Sequence, residues 1–151
     1  MKFRLLIISL ILLLSSSLFA QGLGSLGFIH ELGEKEQATF GDAVKFMVIV
    51  MDKRSVNFKR DLRILNKNGI TSGYSNNKNT PLRKGAVARM AARYLKLNDS
   101  FMYKIFGTER YAFRACVAAD IMVQNGSEWD RISGEELIEI MRRVSEKSGG
   151  E

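Results

Sequence analysis

Along residues 39–147 apolar residues recur at the three-and-four spacing of amphipathic helices, and no alternating run of β-branched residues interrupts them. Thr39-Phe40-Gly41-Asp42 sets a cap hydroxyl three positions before a carboxylate. That variant of the capping box predicts a helix through Ala43, Val44, Phe46 and Met47 to Met51. It is apolar nearly all round and is expected to be the most buried helix. Phe58, Leu62 and Leu65 predict a second helix, Val56 to Asn68, with Gly69 in the left-handed conformation and Ile70 folding back on it. Thr80-Pro81 predicts a helix start, a hydroxyl cap with proline at the first helical position, and Leu82, Val87, Met90 and Tyr94 form its stripe. A short helix is expected over 100–106, and another from Thr108 to near Asp120. Ser133-Gly134-Glu135-Glu136 is a full capping box that opens a last helix through Leu137, Ile140, Met141 and Val144. The pattern predicts an all-α domain.

The ends of the chain read differently. Lys2 and Arg4, the apolar run Leu5 to Leu14 and the small residues up to Ala20 make a signal peptide over residues 1–20. An uncleaved anchor is the competing reading, since this run nearly spans a bilayer. Residues 21–38 hold Gly22, Gly24, Gly27 and Gly33 with little periodicity, and are expected to form a flexible leader. Residues 39–147 form the domain, and 148–151 a disordered tail.

The helical stripe repeats. Leu62, Leu65 and Ile70 correspond to Phe113, Cys116 and Ile121 at an offset of 51, and Leu82, Val87, Met90 and Tyr94 to Ile132, Leu137, Ile140 and Val144 at an offset of 50. Each unit is a helix, a turn with an inward Ile, a polar loop and a second helix. Ala43-Val44 and Met47 echo Ala86-Val87 and Met90, as if the first helix ended an earlier, truncated unit. Such units bury their apolar faces only against one another.

Leu62, Leu65, Gly69-Ile70 and Gly73-Tyr74 resemble the first half of an S-layer homology (SLH) repeat, and Ile132, Ser133, Glu136 and Leu137 resemble its second helix start. The loop before Pro81 is shorter than that family's and lacks its Asp-Gly-Thr-Phe. The basic position is Lys84 in one unit and Gly134 in the other, while its glutamate is Ala86 in the first and Glu136 in the second. The resemblance covers about residues 57–144 and implies a small bundle of helix-turn-helix repeats that attaches noncovalently to anionic wall polymer. With so many ligand positions replaced, it carries the fold better than the ligand.

Charge sharpens the expectation. Without the leader's Lys2 and Arg4 the chain has 21 basic and 16 acidic residues, and 16 of the basic against 5 of the acidic lie between Asp42 and Arg114. A local positive field of this size attracts polyanions. For an exported protein of the periplasm or envelope these are wall polymers, acidic glycans and lipid headgroups rather than nucleic acid. Tyr74 and Trp129, placed in equivalent loops, are candidate sugar-stacking rings, with Lys78, Arg83, Lys84 and Arg89 supplying charge. The expected function is a non-enzymatic envelope-binding module contacting anionic wall polymer. A periplasmic protein–protein adaptor is the alternative. A wall-cleaving enzyme using Glu128, Asp130 or Glu109 is the weakest reading, because nothing in the spacing fixes these carboxylates. Membrane contact is expected only through an uncleaved leader. His30, the one histidine, lies in the flexible leader of residues 21–38, and no metal-ligand spacing or phosphate loop occurs, so no metal or cofactor is expected. Cys116 has no partner for a disulfide and reads as a buried hydrophobe.

Overall fold

A computed structural model describes residues 26–74, 76–97 and 107–149. The expected signal peptide, the expected helix over 100–106 and the last two residues lie outside these. The chain forms two compact units, 1–31 and 32–151. In the first, residues 26–31 are helical, with Phe28 buried and Leu26 exposed. The second is all-α and holds five helices among its described residues: α1 (Phe40–Val50), α2 (Phe58–Lys67), α3 (Lys84–Tyr94), α4 (Glu109–Ala118) and α5 (Gly134–Ser148). Helix α1 packs on α2 and on α5, and α3 on α4. Val44, Met47, Leu65, Met90, Leu137 and Met141 are fully buried. Among the described residues no helix is long and apolar enough to cross a membrane.

Local chemistry sets most helix ends. Thr39 and Asp42 form a complete capping box on α1. Helix α2 starts two residues later than expected, because the Asn57 side chain accepts the Arg60 amide and so marks the cap. It closes as expected: Gly69 takes φ +71°, and the Ile70 amide donates to the Leu65 carbonyl at 2.9 Å. Helix α4 closes the same way, with Asp120 at φ +56° and the Ile121 amide on the Cys116 carbonyl. Helix α1 is not uniquely buried, since it and α3 each bury seven of eleven residues. Alanines let α3 sit close to its neighbours without a continuous apolar surface.

Two expectations are overturned. Thr80-Pro81 does not start a helix; α3 begins at Lys84, with Arg83 as its cap residue. Pro81 instead bridges Thr39, and the Thr80 carbonyl accepts the Phe40 amide at 2.8 Å, so this dipeptide caps α1 from a distance. Residues 21–38 are not uniformly a flexible leader. Residues 32 and 33 are helical, Leu32 and Ala38 are fully buried, and the Gly134 amide donates to the Lys35 carbonyl at 2.8 Å. At the other end, α5 includes Ser148, the first residue of the expected tail.

These contacts share one plan. Ala38, Leu82 and Ile132 each directly precede the cap residue of α1, α3 or α5, and each is at most 1% exposed. Their backbones close a ring: the Ala38 amide donates to Ile132, the Ile132 amide to Leu82, and the Leu82 amide to Ala38, at 2.9, 3.3 and 2.9 Å. Buried amides and carbonyls must be paired, and three extended segments meeting at one point pair each other. Just beyond the ring, the first amides of each helix find carbonyls on another segment. Phe40 and Gly41 donate to Thr80 and Lys78, Lys84 and Gly85 to Asp130 and Glu128, and Gly134 to Lys35. Such approaches demand glycine, and a Cβ on Gly85 would lie 2.9 Å from the Glu128 carbonyl oxygen.

Cys116 lies under this framework with its thiol on the Ala88 carbonyl at 3.3 Å. Burial pushes the thiol up to about 12. The native protein is expected to resist thiol-modifying disulfide reagents at pH 8 and to react at once in denaturant. Because the folded value lies above the unfolded one, this group's contribution to stability is intact below about pH 9 and is lost between about 9 and 12.

Candidate functional site

Helix α3 starts without a side-chain cap; its opening amides are satisfied by the loop that follows α4. That exchange fixes the loop on both sides of Trp129. The Glu128 carbonyl accepts from Gly85, and the Asp130 carbonyl accepts from Lys84. Within the loop the Asp130 carboxylate accepts the Ser127 amide at 2.8 Å, and the Trp129 amide donates to the Ser127 hydroxyl at 3.1 Å. The backbone is held while the indole stays 63% exposed. Freed from capping, the Arg83 side chain lies over that ring at 5.4 Å, a cation–π contact.

Trp129 stands between two depressions. The larger, about 720 Å³, has Phe113 and Val117 in its floor and Arg110, Arg114 and Gln124 on its rim. The second runs past Arg89, Glu109, Arg110 and Glu128. Arg110 and Arg114 are one helical turn apart on α4 and both exposed, and they line the larger depression together with Trp129, while Arg83 lies over the indole. Four arginines against Glu109 and Glu128 leave the site net cationic. An aromatic face rimmed by guanidinium groups is suited to a sugar ring bearing a carboxylate or phosphate, which Arg engages through paired donors.

The structure sorts the six expected binding residues. Trp129 and Arg83 are together and exposed. Arg89 borders the second depression with its guanidinium 5.5 Å from the Tyr74 ring, and its Nε is buried with no hydrogen-bond partner among the described residues. Tyr74 belongs to the packing instead: its ring lies 5.6 Å from Phe40 and its hydroxyl donates to the Ala86 carbonyl at 3.4 Å. Burial above all, with the field of Glu109 adding to it, raises the phenol well beyond its usual range, against the opposing pull of Arg89. Lys78 is exposed but lines a separate depression with Lys35, Lys45 and Asn57. Lys84 is not available to a ligand. Its side chain is 8% exposed, and its ammonium donates to the Asn125 carbonyl and side-chain oxygen, both at 2.9 Å, and pairs with Glu136 at 3.2 Å. Tyr74 and Trp129 stand in equivalent loops but not at equivalent positions: Lys78 and Glu128 play the same hydrogen-bonding role, so Asn79 is the residue that corresponds to Trp129.

Arg110 and Arg114 were missed because Tyr111 to Ala119 reads as an apolar run; their spacing of four on one helix face was the available clue. Among the described residues no cluster of His, Cys, Asp and Glu could hold a metal ion. Compared with protein-family models, curated proteins and solved structures, the chain matches none at a significant level.

Proposed function

We propose that this protein is an exported, non-enzymatic envelope module that holds an anionic glycopolymer at Trp129. The observation that carries the reading is the exposed indole on a pinned loop, stacked under Arg83 and lining one depression with Arg110 and Arg114. A surface tryptophan left 63% exposed on a loop pinned at both sides is organised for contact rather than for the core. The equivalent helix starts at Thr39, Arg83 and Ser133, with the ring that joins them, support an SLH-like arrangement of three units, the first contributed by the segment before α1. Asp130, a candidate acid for wall cleavage, has its carboxylate engaged in the loop turn, which favours binding over hydrolysis.

The test is co-sedimentation with purified cell wall. Wild-type protein is expected to sediment at low salt and to be released as salt rises, since screening weakens contacts between exposed charges. Trp129→Ala should weaken binding roughly tenfold or more, as loss of a central tryptophan anchor does elsewhere. If the wild type stays in the supernatant at low salt, or the variant sediments as well as the parent, the proposal fails.

A further inference from the structure

Helix α2 offers a second cationic surface of a different kind. Its inner face carries Leu62 and Leu65, buried, and Asp61, which is 1% exposed and accepts from the Ser55 hydroxyl and the Val56 amide. The outer face carries Lys59, Arg60, Arg63 and Lys67, all exposed, and the turn before it adds exposed Lys53 and Arg54. Among the described residues no ion pair joins any of these six to an acid. Lys59, Arg63 and Lys67 follow one another at intervals of four, a single stripe roughly 12 Å long. Like charges at that spacing oppose helix formation, so the helix carries an unfavourable arrangement that an external anion would relieve.

We propose that this outer face of α2 docks on an anionic lipid bilayer. The stripe is convex, with long side chains standing on a helical cylinder and no aromatic ring among its exposed residues to orient a sugar. That shape suits a fluid plane of headgroups, which moves to meet the charges. Val56, 50% exposed beside Arg54, places an apolar side chain at the end of the stripe, where it can dip below the headgroups. Membrane contact would then not depend on an uncleaved leader. The inference does not rest on the Trp129 reading, because it uses other helices and other residues.

The test measures partition of the full chain onto vesicles of phosphatidylcholine alone and with phosphatidylglycerol, and takes the ratio. An apolar leader would raise binding to both, whereas the stripe raises it only for the anionic set. Changing Lys59, Arg60, Arg63 and Lys67 together to glutamine is expected to lower the ratio at least about twentyfold, and each single change about fivefold. Circular dichroism of the variant should match the parent, as all four side chains are exposed. Arg63→Lys should keep the ratio. A ratio that survives the fourfold change in a folded protein overturns the proposal, and so does a wild-type ratio near one with firm binding to soluble polyglutamate. No wall polymer enters this measurement, so its failure leaves the Trp129 proposal standing, and the reverse holds as well.

Discussion

Gly134→Ala is expected to lower folding stability by about 4 kcal/mol, at the upper end of what one methyl group does. Gly134 is the first residue of α5, and its amide donates to the Lys35 carbonyl at 2.8 Å. A Cβ built there would fall on the carbonyl oxygen of Leu32 and within 2.7 Å of its carbonyl carbon. Leu32 is fully buried, and what collides is backbone, so no side-chain rotation relieves the overlap. Relief requires residues 32–38 to retreat. That would break the Lys35 bond and strain the ring of Ala38, Leu82 and Ile132, leaving buried amides without acceptors at about 1–3 kcal/mol each. Gly85→Ala should cost less, because its overlaps are shallower: the added carbon would lie 2.7 Å from the Glu109 Cβ and 2.9 Å from the Glu128 carbonyl oxygen, which a small backbone shift relieves. Gly149→Ala is the control. Its nearest neighbour would be Ser145 O at 3.6 Å, an ordinary contact, and its effect should stay within about 0.5 kcal/mol. Urea denaturation gives the ranking. Equal midpoints for the Gly134 and Gly149 variants would mean that residues 32–38 do not pack against α5 in solution.

The same segment shows where reading the sequence stops. Thr39, Gly69-Ile70 and Ser133 were legible because each acts on amides and carbonyls within a few residues of itself. Thr80-Pro81 carries an equally good local cap, yet its carbonyl serves a helix some forty residues earlier, and no local rule encodes that. Glycines before residue 39 suggested slack. Gly33 instead sits against Ile138, at 3.7 Å from where its Cβ would be, and the burial of Leu32 and Ala38 depends on the other two ring segments. The candidate site divided for a related reason. Trp129 and Arg83 were recognisable by type, but adjacent cations at a helix start face opposite ways. Arg83 precedes the first turn and turns outward to the indole, while Lys84 begins it and turns inward. Composition cannot separate two such neighbours; only the direction of the first helical turn does.

That division yields the second large effect. Lys84→Met should cost about 2–3 kcal/mol, whereas Arg83→Ala should leave stability within about 0.5 kcal/mol and weaken polymer binding instead. Methionine fills much of the lysine stem's volume, so the loss isolates the ammonium. Its removal takes away the donor shared by the Asn125 carbonyl and side-chain oxygen, which water reaches in part because Asn125 is exposed, and leaves Glu136 without its cation. Breaking a wholly buried pair costs about 3–5 kcal/mol. Glu136 is 34% exposed, so water takes up part of its charge and the figure is lowered accordingly. Glu136→Gln should cost only about 1 kcal/mol, since the Asn125 bonds survive and a neutral acceptor remains. A double-mutant cycle between positions 84 and 136 should give a coupling of about 1 kcal/mol. The loop reports independently. The Lys84 ammonium ties the chain at Asn125, four residues before the chain's single tryptophan, and this tie is lost in the variant while the backbone bonds to Glu128 and Asp130 remain. Lys84→Met is therefore expected to shift Trp129 emission and raise its quenching by iodide below the unfolding transition, while Glu136→Gln leaves both near the parent. Should Lys84→Met keep parental stability and an unchanged tryptophan spectrum, the ammonium is not the tie that orders this loop, and Lys84 returns to the set of residues free to meet a ligand.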